Sequence, residues 1–140
     1  MAYHSVTGNK RAERYPEMSL EELLGWADIL SIHTPLSDRT RGLIGKAELE
    51  RMKPTALLIN VARGGIVDEQ ALAEALDAGT IAGAVVDVFS KEPMPADNPL
   101  LHLRDPYRLL LSPHNAWSAA ESIDTLVEAI AANIASYLKA

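Results

Sequence analysis

Cysteine is missing from all 140 residues, which excludes a disulfide framework and thiolate chemistry and makes a reducing compartment, the cytoplasm, the expected setting. Clustered positive charge is missing as well. The 13 Lys and Arg stand against 19 Asp and Glu, for a net charge of −6 and a pI near 5.1, so nothing is available to neutralise a phosphate backbone, and no nucleic acid partner is implied. No apolar run reaches the roughly 18 residues of a membrane helix, and the amino terminus has no apolar core behind a basic start. No metal site is expected, and no repeat, low-complexity tract or second-domain linker interrupts the chain. What is present, 48% hydrophobic and 23% charged residues, is enough for one globular domain with a real core.

Strand and helix signals alternate along that domain. Residues 1–8 read as the end of a strand, and residues 9–16 as a polar, basic loop or helix start. Ser19 and Glu22 match a capping box ahead of Leu20, Leu23, Leu24 and Ala27 at helical spacing. Residues 28–34 read as a strand that Pro35 stops, since proline lacks an N–H for the ladder. A short helix through Glu48, Leu49 and Met52 ends at Lys53-Pro54. Asp68 then caps a helix with Ala71, Leu72, Ala75 and Leu76 on one face, and Gly79 takes the left-handed position after it. Residues 81–89 and 108–113 read as two further strands. Ser118 is expected to cap a last helix carrying Ile123, Leu126, Val127, Ile130, Ile134 and Leu138. The alternation predicts an α/β fold with a parallel sheet and right-handed crossovers.

The stretch Leu57 to Val61 is too continuous for a half-exposed strand, so it is expected to be covered on both faces. Just past it stand Arg63, Gly64 and Gly65, a cation beside two glycines that let the backbone turn and approach a ligand. Thr34-Pro35, Arg63, Asp87 with Glu92, and His114 each follow a predicted strand end, so a parallel sheet would bring all four to one crevice. Taken singly, each has a plain alternative: Arg63 and Glu92 as solvated loop charges, His114 as a loop residue satisfied by backbone. Together they would suffice for carbonyl reduction. A histidine exchanges protons near neutral pH, a carboxylate holds its ring, and an arginine holds a carboxylate or polarises a carbonyl.

Three segments carry a family resemblance: Asn60-Val-Ala-Arg-Gly-Gly65 with Val67-Asp68, residues 83–93, and Ser112-Pro-His114. They resemble the signature regions of the D-isomer-specific 2-hydroxyacid dehydrogenases, and the likeness runs from Leu20 to the final helix. The resemblance implies a Rossmann-like, doubly wound cofactor domain binding NAD or NADP. It implies Arg63 on the substrate carboxylate and carbonyl, His114 as proton donor in reduction, and Glu92 paired with His114. It implies Asp87 on the nicotinamide carboxamide, with His33, Thr34, Pro35, Val61, Ala62, Arg63, His114 and Ala116 lining the cofactor. Residues 114–117, His-Asn-Ala-Trp, are similar to the variant of glycerate dehydrogenases and hydroxypyruvate or glyoxylate reductases, so a small 2-keto or 2-hydroxy acid is the implied substrate.

The sequence departs from that pattern in two places. It holds no Gly-x-Gly-x-x-Gly loop and no substrate domain, so residues 1–140 are expected to form a partial, incomplete NAD(P)-binding domain. Where the family places an acid on the ribose, this chain has Tyr3, His4 and Ser5, which leaves NAD and NADP both open. In the strand order 3-2-1-4-5-6 the first strand is central. With it absent, the strand near Val6 is expected to pair with the strand at 28–33, apart from a second group at Leu57, Val85 and Leu110. A second copy would fill the gap in an intertwined homodimer, or the chain would stay loosely packed; a rearranged compact monomer is the competing outcome. Likewise, a silent module that at most associates with another subunit stands as the alternative to an enzyme.

Overall fold

The computed structural model describes residues 1–8 and 14–138; the basic segment read as a loop or helix start falls largely outside them. Four strands, β1 (Ile29–Ile32), β2 (Leu57–Asn60), β3 (Gly83–Val86) and β4 (Leu109–Leu111), form one parallel sheet in the order β1-β2-β3-β4. Four α-helices accompany them, α1 (Leu20–Trp26), α2 (Lys46–Arg51), α3 (Glu69–Ala78) and α4 (Ala120–Tyr137), while β3 and β4 are joined through two short 3₁₀ turns, Pro99–Leu101 and Pro106–Arg108. The Rossmann-like parallel sheet expected from the sequence is therefore present, with strands shorter than the apolar runs that announced them.

The helix punctuation is as read. Ser19 and Glu22 bond reciprocally across the start of α1, with Glu22 N donating to Ser19 Oγ at 3.2 Å and Ser19 N donating to Glu22 Oε2 at 2.9 Å. Ala71 N donates to Asp68 Oδ1 at 3.0 Å, and Gly79 ends α3 at φ 71°, which only glycine adopts without strain. The last helix differs. Its N-cap is Ala119 without a side-chain bond, because the Ser118 hydroxyl is turned back to donate to the Asn115 carbonyl at 2.6 Å.

Side chains alternate across a strand, and only one face of this sheet is packed. Leu30, Ile32, Leu58, Ala84 and Val86 share a core with Leu23 and Leu24 of α1, Leu49 of α2, and Leu72 and Leu76 of α3. On the opposite face Ile29 is 60% exposed, Leu57 40% and Leu110 59%, with Ile59 and Val85 half-buried. Two-sided burial of the central strand is thus corrected: the packed helices lie on one side among the described residues. The apolar stripe of α4 is likewise exposed throughout, from Ile123 to Leu138.

The expected gap is also corrected. β1 pairs directly with β2, in the register Ile29↔Leu57 to Ile32↔Asn60, and so belongs to the same ladder as the strands after it. The amino-terminal segment makes one parallel bridge, Tyr3 to Glu17, and no ladder with β1. The alternation of strands and helices does not say on which side of a neighbour a strand pairs, and the strand at 28–33 lies beside β2 rather than apart from it. The intertwined dimer that rested on that gap loses its ground.

Candidate active site

In a parallel sheet the loops that follow strands leave from one edge, and here the register makes that edge even. Ile32, Asn60, Val86 and Leu111, the last residues of the four strands, lie side by side. His33, Thr34 and Pro35 follow β1; Val61, Ala62 and Arg63 follow β2; Asp87 and then Glu92 follow β3; His114 and Ala116 follow β4. All the catalytic and cofactor-lining candidates named above follow strands at that one edge, whereas Tyr3, His4 and Ser5 lie before β1.

His114 and Glu92 meet directly, with Nδ1 and Oε2 2.7 Å apart. A carboxylate only accepts, so Nδ1 carries the hydrogen and Nε2 is left for another partner. Glu92 is further fixed by Phe89 N, which donates to Oε1 at 2.9 Å. The His114 hydrogen bond first, and the Phe89 N–H second, hold the Glu92 carboxyl below the usual 4.5, against a weaker upward pull from partial burial.

His114 itself sits at φ 53°, a left-handed conformation that a residue with a side chain rarely adopts. What holds it is Asp87, only 1% exposed. Asp87 Oδ1 accepts from Ser112 Oγ at 2.5 Å and from Asn115 N at 3.0 Å, and Oδ2 accepts from Ala116 N at 2.9 Å. Its carboxylate thus gathers donors on both sides of His114. Burial alone would raise the Asp87 pKa, but the bonds from Ser112, Ala116 and Asn115 and the nearby His114 outweigh it and lower the value below 3.8. The His114 carbonyl is held as well, by Trp117 Nε1 at 2.9 Å.

Arg63 is exposed; its Nη1 donates to the Ala62 carbonyl at 2.6 Å, and it forms no ion pair with the described residues. Asn60, buried at the end of β2, shapes its turn by accepting from Ala62 N at 3.2 Å and donating to the Arg63 carbonyl at 3.2 Å. The role expected of Gly64 is altered. Its close neighbour is the chain's own backbone: a methyl group there would fall on the Phe89 carbonyl and 2.6 Å from the Ser90 nitrogen. Arg63 and Glu92 are therefore carried on two loops pressed together, and Gly65, at φ 79°, completes the turn. An apolar cavity of about 700 Å³ opens beside the pair, walled by Phe89, Pro93, Met94, Leu101 and Leu111.

Four supporting residues were not read from the sequence. Asn60, a polar residue closing an apolar run, was a usable signal. Thr40, buried and donating to the Pro35 carbonyl at 2.7 Å, gave none; Ser112 stood in a signature segment, but its bond to Asp87 had no local sign. Glu69 stood as an ordinary acid in the first turn of a helix, yet it accepts from Ser90 N at 2.6 Å and from Asn98 Nδ2 at 2.7 Å.

A parallel Rossmann-like sheet bearing a histidine–carboxylate pair and an arginine on its carboxyl edge defines the class, a nucleotide-cofactor domain with ionisable groups at its binding edge. Residues 1–116 match the family model described as the D-isomer specific 2-hydroxyacid dehydrogenase NAD binding domain, and the chain belongs to that family. It is 44% identical over 118 residues to a glyoxylate reductase of Korarchaeum cryptofilum, an alignment covering 84% of this chain and 35% of the relative. A D-isomer specific 2-hydroxyacid dehydrogenase of Lactobacillus delbrueckii ssp. bulgaricus, solved with NAD, superimposes at TM-score 0.78 and 33% identity, over 89% of this chain and 41% of that one. An acyclic imino acid reductase in complex with NADPH and D-Arg reaches TM-score 0.85 at 31% identity, over 97% and 42%. The chain thus spans well under half the length of these relatives.

Proposed function

We propose that this chain carries the proton-donating half of an NAD(P)-dependent site that interconverts small 2-keto and 2-hydroxy acids, of the glyoxylate, hydroxypyruvate and glycerate type. The observation that supports it most is the 2.7 Å contact between His114 Nδ1 and Glu92 Oε2 at the carboxyl edge. With Nδ1 committed to Glu92, His114 delivers its proton from Nε2 to the keto oxygen as it becomes a hydroxyl. Glu92 steadies the imidazolium before that transfer. Arg63, exposed and free of acidic partners among the described residues, holds the substrate carboxylate through paired N–H groups. A nicotinamide cofactor, when bound, would supply the hydride.

The donor set suits the nicotinamide end of such a cofactor. Pro35, Val61, Ala62 and Ala116 offer apolar atoms to a flat ring, His33 and Thr34 offer polar ones, and Asp87 lies beside them, its N donating to the Asn60 carbonyl at 3.0 Å. No glycine-rich phosphate loop is present in the sequence, so these residues account for one end of the cofactor only. NAD and NADP both remain within this reading, as does a cytoplasmic setting. A homodimer belongs to it too, supported by the exposed apolar stripe of α4 and the bare sheet face.

The test is NAD(P)H-dependent glyoxylate reduction, run on this chain and on a version extended with the phosphate-binding segment and substrate domain of a relative. In the active form, Arg63→Lys should lower kcat/KM by ~10-fold or more, because an ammonium cannot make two parallel bonds to a carboxylate. An unchanged kcat/KM removes Arg63 from the site; no reduction by either form favours a silent, associating module.

A further inference from the structure

We propose that Glu69, on α3, is a positioning residue for the Glu92–His114 pair, its carboxylate clasping both ends of the loop that carries Glu92. The inference rests on the reading of that pair as the proton-transfer group. Glu69 Oε1 takes the N–H of Ser90, at the start of the loop, and Oε2 takes the side-chain amide of Asn98, at its end. Glu92 lies between them and reaches His114 from there.

Each partner is fixed from behind. Asn98 is buried, and its Oδ1 accepts from Leu100 N at 2.9 Å, which turns its NH₂ toward Glu69. Glu69 stands in the first turn of a helix whose Leu72 and Leu76 are wholly in the core and whose start is capped by Asp68. The clasp therefore refers a surface loop to the rigid body of the sheet. Gly64 presses on the same loop from the β2 side, at Phe89 and Ser90. A shift of about 1 Å in that loop would carry Glu92 beyond hydrogen-bond length from His114.

Two donors face Glu69, so a carboxylate is the group that satisfies both. An amide has one acceptor oxygen and sets its own NH₂ against the remaining donor. A residue that only favoured the start of α3 by its charge would act on helix stability and leave Glu92 untouched.

The experiment follows the Glu92 side-chain carboxyl by carbon-13 NMR titration in the 140-residue chain, with a thermal melt for each variant. In the unsubstituted chain the Glu92 midpoint should lie below 4.5. Glu69→Gln should move it upward and weaken the His114 Nδ1 proton resonance. Adding Asn98→Asp to Glu69→Gln exchanges donor and acceptor across the clasp, with the second new carboxylate oxygen still free for Leu100 N. That double variant should restore the low midpoint. A Glu92 midpoint unmoved by Glu69→Gln, or one that the exchange fails to restore, overturns the proposal. If Glu69→Gln alone does not fold, the exchange decides: folded with a low midpoint supports the clasp, unfolded overturns it. A midpoint that follows Glu69, with neither this chain nor its extended form reducing any 2-keto acid, would remove the reductase reading and leave the clasp standing.

Discussion

The carboxyl edge of the sheet and its open face are built from similarly apolar sequence and end in opposite states. At the edge, the Asp87 and Glu92 carboxylates and the Asn60 amide are hydrogen-bonded, and two loops press together without room for a methyl group. Across the open face, Ile29, Leu57 and Leu110 stand exposed, and beyond them α4 carries another exposed stripe. Bonding and backbone contact hold the first region in one arrangement; the second is exposed apolar surface among the described residues. The proposed chemistry lies with the region that is self-sufficient.

The hardest way to break that contrast is Gly64→Ala. The new methyl meets main chain on the facing loop, which cannot rotate away, so its effect should exceed the ~1–3 kcal/mol of ordinary overpacking. Loss of cooperative melting together with the His114 Nδ1 proton signal is the expected outcome; a melt like the parent's would mean that the loops are not pressed together.

Leucines on the two faces sharpen the comparison. Leu58, fully buried, should lose about 3 kcal/mol on replacement by alanine, whereas Leu110→Ala should stay within about 0.5 kcal/mol. Denaturant midpoints of the two variants measure this. A large loss at Leu110 would show that the open face is covered in solution.

The smallest effect comes from pH. Asp87 and Glu92 both have folded values below their ordinary 3.8 and 4.5, so their contribution to stability is complete above those ordinary values. It is lost as pH falls through the lowered folded values. Thermal melts between pH 6 and about 3 should show an acid decline that Glu92→Gln diminishes; the same decline in that variant would assign it to other carboxylates.

Much of this was legible because local signals sit beside their effects. Ser19 and Glu22 are three residues apart, Asp68 and Gly79 bracket α3, and each of the four strands falls inside an apolar run. The Glu92–His114 contact followed from a parallel sheet plus the family likeness. What stayed hidden depends on distant partners: Glu69 reaches Asn98 across 29 residues, and Gly64 meets Phe89 on another strand's loop. Leu57 and Leu58 are the same residue type side by side, so nothing in their chemistry told which would face the helices.

The order β1-β2-β3-β4 is also the order of the chain. Each strand pairs first with the one made just before it, and closing each pair spans a single crossover rather than the length of the domain. During synthesis the sheet can therefore extend from β1 outward as the chain emerges, with every new strand meeting a finished edge. β4, made after the other three, brings His114 to a carboxyl edge where Glu92 and Arg63 have already been made.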